Sequence, residues 1–412
     1  MSIYQIELSD VDCSELCFES NPGIINVDNP LPYVETTHFN NLFSGCYNLE
    51  RVPANLFEKN NQISSLESSF YECEGLTNAP NIPSNVTDMN QTFFRCHTLS
   101  EAPVLPYGLK NMQFTFAETN LIVPPIIPST VEDMNSTFAW CYNLIEAPEI
   151  PDGVTNMIGT FRLCRNLQRP PVIPDGVVDL YATFIGCESL EYLPEIPSSV
   201  TAMMYTFANT MFQEYPPIPD TVELIDGLYS GCSNMYVAPV LPSHILGLDE
   251  TFSYCLSLKH LPEIPYGVVS LRYTFMNTPC EDTPVIPNSV NDMTGTFAEC
   301  KFLIDVTNFP NCKPEMLILD ETFAGCSSLS IIPRIPGCTI SMNGTFAGCA
   351  SLHGDIYIDS DCIESAYQCF DGCSDITIHV PAYSSTYECF YDELGGDFNE
   401  ETNIRLVMVA PN

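Results

Sequence analysis

Cysteine can form a disulfide, ligate a metal or act as a nucleophile, and it recurs throughout this chain. There are twenty cysteines, and twelve of them end copies of one phrase, such as IPDGVTNMIGTFRLC from Ile150 to Cys164. Neighbouring copies could bring these sulfurs within disulfide distance. However, several occur in runs of three, which cannot pair completely, and threonine replaces cysteine at Thr119, Thr210 and Thr278. This exchange favours a small buried side chain with a weak donor over a disulfide.

The cysteines outside this column form no recognisable site. Cys13 and Cys17, and separately Cys362, Cys369 and Cys389, lie off the column. Metal binding by these residues stays open, but the Cys-x3-Cys spacing lacks a second pair of ligands.

Histidine and aspartate give no stronger indication of chemistry. The six histidines share no spacing typical of metal ligands: His38, His97, His244, His260, His353 and His379. The acidic run DIYIDSD, from Asp355 to Asp361, is interpreted as a solvated loop rather than a calcium site. No nucleotide-binding, hydrolase or kinase motif is present. The sequence therefore predicts no enzyme and no catalytic, metal or cofactor site.

The net charge of the chain limits the kinds of molecule that it could bind. Only 13 Lys and Arg stand against 52 Asp and Glu, which gives a formal charge of −39. Nucleic acid and anionic membrane surfaces are disfavoured, because both require clustered cations. The charge is expected to keep a large surface soluble, with a basic partner or a bound cation as the alternative.

The beginning of the chain carries no secretory pattern. MSIYQIELSDVDCSEL has no basic start followed by an apolar run. No window approaches a membrane-spanning length of apolar residues. We therefore expect synthesis in the cytoplasm without membrane insertion, and association with a virion is an open alternative.

The repeat that positions these side chains is set by an aromatic residue, here called the anchor, with a usual spacing of 23 residues. The fifteen anchors are Phe43, Phe70, Phe93, Phe116, Phe138, Phe161, Phe184, Phe207, Tyr229, Phe252, Phe275, Phe297, Phe323, Phe346 and Phe370. Positions are numbered from the anchor of each copy, so the cysteine column is position +3. Aliphatic residues or methionine recur at −4 and −7, and proline recurs at −10.

Fixed apolar columns predict stacked coils, because one short coil cannot bury its own apolar face. We expect a leucine-rich-repeat-like solenoid of about fifteen coils of 22–24 residues. Short parallel strands are expected on one face, irregular or 3-10 segments on the other, and capped ends. Phrases such as Ala147 to Pro151, APEIP, place two prolines in most coils. Since proline has no N–H for a sheet, strands of two or three residues ending at the first proline are predicted.

Three regions are expected along the chain. Residues 1–40 are predicted to form an N-terminal cap, 41–375 the repeat solenoid and 376–412 a C-terminal cap. The sequence from Ser385 predicts a short helix that ends at Gly395 and Gly396. NIRLVMVAP then predicts a closing strand.

The repeat resembles that of a known family. VTNMIGTFRLCRNL, from Val154 to Leu167, and FAGCSSL, from Phe323 to Leu329, are similar to the repeat of BspA-type leucine-rich repeat proteins, and the similarity covers about residues 40–380. The tail from Ile376 also resembles the end of such arrays. The resemblance implies a curved solenoid used for adhesion or protein binding on bacterial or protist surfaces, or in viral and phage proteins. It implies no catalytic residues.

Function is predicted to lie on exposed positions that the repeat leaves variable. These are the two residues after the conserved leucine and the residue between the two prolines, which alternates between valine and glutamate. They are expected to form stripes suited to a protein or glycan partner. The candidate partner-binding residues are Glu146, Glu149, Gln168, Arg169, Glu191, Tyr192, Glu195, Lys259 and His260.

Two functions follow from these observations. The first is a non-catalytic binding or adhesion solenoid that recognises a protein or a host-surface glycan through its repeat face. The alternative is a phage or virus structural component, such as a fibre, a receptor-binding protein or a capsid decoration protein, acting within a larger assembly.

Overall fold

The computed structural model describes residues 18–213, 215, 217–311 and 316–409. The chain divides into two compact units, Met1–Ala202 (unit 1) and Met203–Asn412 (unit 2). Cys13, Cys17 and most of the first half of the predicted N-terminal cap lie outside the described residues. The predicted boundaries after residues 40 and 375 stay predictions.

Within unit 1, the backbone around each anchor alternates between two kinds of hydrogen bond. The N–H groups of Met89, Gln91 and Phe93 donate to carbonyl oxygens of the following coil at 2.8–3.0 Å. The intervening N–H groups of Thr92 and Phe94 donate to the carbonyl three residues earlier in their own coil. The segment is therefore a run of tight turns in which every second donor joins neighbouring coils. The described part of unit 1 contains no helix and no strand longer than a single bridge.

This alternation requires residues in the left-handed backbone conformation at positions −2 and +2. In one coil these residues are Gln91, with φ 54°, and Arg95, with φ 60°. Glycine takes position +2 in other coils, and at Gly186, with φ 69°, an added Cβ would overlap the side chain of Leu163 in the preceding coil. The side chain of Leu163 therefore lies over Gly186 and leaves no room for a Cβ there.

Parallel bridges join the coils of each unit along two lines. One runs along position −5, where His38, Ser65, Asp88, Asn111, Asp133 and Asn156 pair in sequence. The other lies at the predicted strand, where Glu146 pairs with Arg169. This strand is shorter than predicted: Ala147 donates to the carbonyl of Arg169 at 3.1 Å, and the next residue, Pro148, has no N–H to continue the ladder.

The core of unit 1 is a stack of anchor rings. The centroids of Phe161 and Phe184 are 5.8 Å apart with the planes 8° from parallel, and both rings are fully buried. The preceding threonine is buried too, and Thr160 Oγ1 donates to the carbonyl of Met134 in the preceding coil at 3.0 Å. Stacked rings add to the stabilisation from apolar burial.

The cysteine column is buried, as predicted, and forms a second ladder. Cys164 Sγ donates to the carbonyl of Phe138, and Cys187 Sγ to that of Phe161, at 3.0 and 3.1 Å. The column cysteines from Cys73 to Cys373 are free thiols. Where threonine replaces cysteine, Thr119 Oγ1 donates to its own anchor, Phe116, at 2.7 Å. The exchange therefore conserves a buried donor to an anchor carbonyl.

Cysteines off the column differ among themselves. Cys362 is exposed, Cys389 is half-buried and Cys369 is buried, and all three are free thiols. Cys280 is a further buried thiol, whereas Cys338 is disulfide-bonded.

Unit 2 contains the extended strands and the helix. Strands β1 (Leu317–Ile318) and β2 (Thr339–Ser341) form a parallel pair. A four-stranded sheet has the order β3 (Gly354–Tyr357), β4 (Ile376–Pro381), β6 (Ile404–Val409), β5 (Phe398–Asn399), with only β5 antiparallel. The interpretation of DIYIDSD as a solvated loop is wrong for its first residues. Ile356 and Ile358 are buried and alternate with exposed residues, so this segment supplies most of β3 and its bridge to the preceding coil.

The predicted C-terminal helix is present. Helix α1 spans Ser385–Leu394, and Ser384 accepts the N–H of Tyr387 at its start. Gly395, with φ 73°, ends the helix in the left-handed conformation. Phe390 is buried with its ring 6.0 Å from that of the last anchor, Phe370. The closing strand is β6.

Candidate functional site

The predicted partner-binding residues of unit 1 are all exposed: Glu146, Glu149, Gln168, Arg169, Glu191, Tyr192 and Glu195. Those at positions +7 and +8 form the variable stripe. Within it, Arg169 Nη1 lies 3.1 Å from Glu146 Oε1. The N–H of Gln168 donates to Ile145 and that of Glu191 to Gln168, each at 2.8 Å. The structure thus places these side chains in register on neighbouring coils.

The two remaining predicted residues, Lys259 and His260, belong to unit 2. Both are exposed. His260 pairs with Val237 by a parallel bridge, and its ring meets that of Tyr236 edge-on at 5.4 Å. The variable stripe of unit 2 therefore carries aromatic side chains where that of unit 1 carries an ion pair.

A second stripe runs along the residue between the two prolines, and we call it the inter-proline stripe. In unit 1 it comprises Asn81, Val104, Ile126, Glu149, Val172 and Glu195. Its aliphatic members are nearly fully exposed: Val104 at 90%, Ile126 at 92% and Val172 at 87%. In unit 2 the stripe includes Val240, Glu263 and Val285.

Each unit has a groove between two coils of this stripe, and the groove of unit 1 is the more apolar. In unit 1 a groove of about 390 Å³ is lined by Val104, Ile126, Tyr107 and the flanking prolines. In unit 2 a groove of about 410 Å³ is lined by Val240, Glu263, Tyr266 and their flanking prolines. Proline holds these walls in a fixed conformation, so a ligand would bind to a largely preformed surface.

The glutamates of the inter-proline stripe have no internal partner. Glu149, Glu195 and Glu263 are exposed, and their carboxylates form no hydrogen bond or ion pair with the residues that the structure describes. This distinguishes them from Glu146, which pairs with Arg169. They are therefore available to a cation from outside the chain.

Sequence reasoning missed part of this surface. It selected Glu149 and Glu195 but neither Ile126 nor the tyrosines of the grooves. Ile126 could have been found, because Pro125-Ile-Ile-Pro128 repeats the pattern of the other coils. Tyr107 and Tyr266 each replace the Asp, Ser or Asn that follows the second proline elsewhere, and both are about four-fifths exposed, at 78% and 81%.

The thiol column offers no reactive group. Burial raises the pKa of the Cys141 thiol to about 11, and burial also raises the pKa of Cys164 well above its ordinary value. A thiol rather than a thiolate is then present at neutral pH, so these sulfurs are poor nucleophiles and poor metal ligands. Among the described residues, no three His, Cys, Asp or Glu side chains come together in a group that could hold a metal ion.

One polar cluster lies on the C-terminal sheet of unit 2. The guanidinium of Arg334 lies 4.5 Å from the ring centroid of Tyr357, which stacks on His379 at 4.5 Å. His379 Nε2 is 2.7 Å from Asp355 Oδ1, and Arg334 pairs with Asp359. Each charged group of the cluster is thus occupied by another member, so the cluster stabilises the sheet rather than forming an open site.

The described residues include no helix with the length and apolar character needed to cross a membrane.

Comparison with known proteins agrees with this architecture. The model of the BspA type leucine rich repeat region matches residues 14–145 and 270–393 in six copies, which is more than half of the chain. A comparison with curated proteins gives no match.

Three solved structures are similar to the chain. A leucine-rich repeat protein from Bacteroides ovatus is 18% identical, with 94% of this chain and 92% of that chain covered and a TM-score of 0.38. A leucine rich cell surface protein from Faecalibacterium prausnitzii is 19% identical, with 84% and 90% covered and a TM-score of 0.49. YopM from Yersinia enterocolitica is 14% identical, with 87% and 78% covered and a TM-score of 0.42.

Proposed function

The chain belongs to the BspA-type leucine-rich repeat family, and from this premise we propose that it is a non-catalytic scaffold that binds another protein through the inter-proline stripe and the adjoining variable stripe. Proteins built from this repeat are in general surface or binding proteins. Adhesion to a host-surface protein is the form of this role that we favour.

One observation carries the proposal: large aliphatic side chains lie almost fully exposed on consecutive coils. Val104 and Ile126 are both at least 90% exposed and line one groove with Tyr107 and prolines. A soluble protein gains nothing from exposing such side chains next to each other, and exposed apolar patches typically mark interaction surfaces. Aromatic residues and arginine nearby, such as Tyr192 and Arg169, are the types most enriched at the centres of interfaces.

The test is to capture binding proteins on the immobilised full chain and to identify them by mass spectrometry. Each captured protein is then measured against three variants. V104S/I126S changes the inter-proline stripe, Q168A/R169A/E191A/Y192A changes the variable stripe, and V178S/L246S removes exposed aliphatic side chains elsewhere as the control.

We expect affinity for a true partner to fall at least about tenfold with either stripe variant, because truncated interface anchors typically cost more than 1 kcal/mol each. The V178S/L246S control is expected to bind as the parent chain does. Equal binding by all variants would refute the proposal, and turnover of a small molecule by the purified chain would replace it with an enzymatic one.

The virion alternative stays a prediction from the sequence. No contact among the described residues favours a fibre or capsid role over binding to a free protein.

A further inference from the structure

We propose that the inter-proline stripe of unit 1 binds a cationic amphipathic helix of the partner, with Lys or Arg at Glu149 and Glu195 and apolar side chains at Val104, Ile126 and Val172. This inference rests on the proposed function and specifies the chemistry of the partner segment.

The order of side chains along the stripe defines the complementary pattern. From Val104 onward, consecutive coils present aliphatic, aliphatic, acidic, aliphatic and acidic side chains. All five side chains are exposed, and they occupy equivalent positions in their coils. A partner must therefore present apolar groups and charges in this order, at the spacing of the coils.

Charge complementarity selects a cation at the acidic positions. Glu149 and Glu195 form no ion pair with the described residues, and the whole chain carries a charge of −39. An acidic or purely apolar segment would bury or approach these carboxylates without compensation, which is costly. Lysine or arginine provides the compensating charge, and its approach to an acidic protein is accelerated by the long-range field.

Spacing favours a helix as the bound conformation. The buried anchor rings of neighbouring coils repeat at about 5.8 Å, as for Phe138 and Phe161, and we infer a similar repeat for the inter-proline stripe. An α-helix presents side chains on one face once per turn, about every 5.4 Å, whereas side chains on one face of a strand lie about 6.6 Å apart. A helix with residues i, i+4, i+7, i+11 and i+14 on the stripe therefore follows five coils more closely than a strand would.

The experiment uses three synthetic helical peptides and the full-length chain, with binding followed by fluorescence anisotropy. The first peptide carries leucine at i, i+4 and i+11 and lysine at i+7 and i+14. The second replaces both lysines by glutamate, and the third replaces the three leucines by serine. The protein variants are E149Q/E195Q on the stripe and E74Q/E223Q away from it, which removes the same charge from exposed, unpaired positions.

We expect only the first peptide to bind, with an affinity that falls as salt is raised. E149Q/E195Q is expected to weaken it about fivefold, the loss of two exposed ion pairs, and E74Q/E223Q to leave it unchanged. Equal binding of the serine peptide, or equal weakening by both protein variants, would mean diffuse charge attraction and would overturn the inference. Binding of the glutamate peptide, or no binding of the first peptide, would overturn it as well.

The two proposals fail differently. If captured proteins depend on Val104 and Ile126 but are indifferent to E149Q/E195Q, the binding function stands and the cationic helix is wrong. If captured proteins bind every variant equally, the proposed function itself is refuted.

Discussion

Units 1 and 2 satisfy the same backbone donor in two different ways. In unit 1 the N–H at position −3 donates to a side chain two residues earlier in its own coil, for example from Asn135 to Asp133 Oδ1 at 2.8 Å. The same bond recurs in five consecutive coils, at Asp88, Asn111, Asp133, Asn156 and Asp179. In unit 2 several coils use the side chain at −3 of the preceding coil instead, for example Asp320, which accepts from the N–H of Asn343 at 2.8 Å. One coil of unit 2 keeps the local bond, from the N–H of Thr294 to Asp292 Oδ1 at 2.9 Å.

The residue at −5 explains the difference. The coils of unit 2 that take an acceptor from their neighbour have Gly247, Ser270, Ser341 or Ser365 at −5. Glycine has no acceptor, and the three serines donate their hydroxyl to the same neighbouring oxygen, as Ser341 does to Asp320 Oδ1 at 2.6 Å. A local acceptor satisfies this donor within its own coil, whereas an acceptor taken from the preceding coil adds a further bond between the two coils. Stability is therefore coupled between neighbours more strongly where the acceptor is borrowed.

The largest effect is expected from D320A. It removes an acceptor of two hydrogen bonds to Oδ1 and a weaker one to Oδ2 from Asn343 Nδ2 at 3.3 Å. We expect a loss of about 3 kcal/mol in the free energy of unfolding, measured with urea, because a half-buried N–H is left unsatisfied. Faster hydrogen exchange is expected at Asn343. The matched control is D305A, an exposed residue of unit 2, which is expected to change stability by less than about 0.5 kcal/mol.

A rescue experiment sharpens the comparison. Asp249 Oδ1 accepts from the N–H of Arg272 at 3.0 Å and from Ser270 Oγ. D249A is expected to cost about 2 kcal/mol, and S270D in that background is expected to recover about 1 kcal/mol by supplying the local acceptor used in unit 1. Thermal denaturation of the three proteins measures this. If D249A/S270D were no more stable than D249A, a local acceptor could not replace an acceptor in the preceding coil.

In unit 1 a smaller effect is expected from D133A. Its carboxylate accepts the N–H of Asn135 and, more weakly, Asn156 Nδ2 at 3.2 Å. We expect a loss of about 1 kcal/mol in urea unfolding, since most of the bonding is local. D133N retains the acceptor and is expected to stay within about 0.5 kcal/mol of the parent. A loss as large as that of D320A would remove the distinction between the units.

The smallest effect concerns pH. Burial, and then the neighbouring charge of Asp249, raise the pKa of Asp226. The folded state then holds this proton more tightly than the unfolded state, so stability falls as pH rises from about 4 through the raised pKa. D226N keeps an acceptor for the N–H of Asp249, 3.1 Å away, without the charge. Urea unfolding across this range is expected to show a flatter pH profile and a gain of a few tenths of a kcal/mol at neutral pH. An unchanged pH profile would contradict the link between the raised pKa of Asp226 and stability.

The sequence was sufficient to predict the repeat and its interior. The anchor and cysteine columns are apolar or small at fixed offsets, and Phe161, Phe184, Cys164 and Cys187 are buried as predicted. Helix α1 was predictable because Ser384 and Gly395 are typical of helix ends.

The turn geometry could not be predicted from the same columns. Left-handed positions carry residues as different as Glu72, Arg95 and Gly186, because hydrogen bonds to the next coil hold the conformation whatever the side chain. Among these residues only the glycines indicated a left-handed conformation in the sequence. The hydrogen bonds to an acceptor in the preceding coil could not be predicted either, since Asp320 and Asn343 are separated by a full coil in sequence.

For the candidate site, exposure of the predicted residues could be predicted from their variability, and the pairing of Glu146 with Arg169 follows from their equal positions in neighbouring coils. The grooves could not, because they depend on how far Pro103 and Pro125 separate the coil walls. The predicted partner-binding roles stay predictions.

The alternating donors near the anchors give the chain a polarity. These N–H groups donate to carbonyl oxygens of the following coil. After the last anchor, Phe370, no further coil follows, and the N–H of Gln368 donates instead to the carboxylate of Glu393 on α1 at 2.6 Å. Without this helix the N–H of Gln368 would lose its acceptor, so α1 completes the hydrogen bonding of the last coil of unit 2.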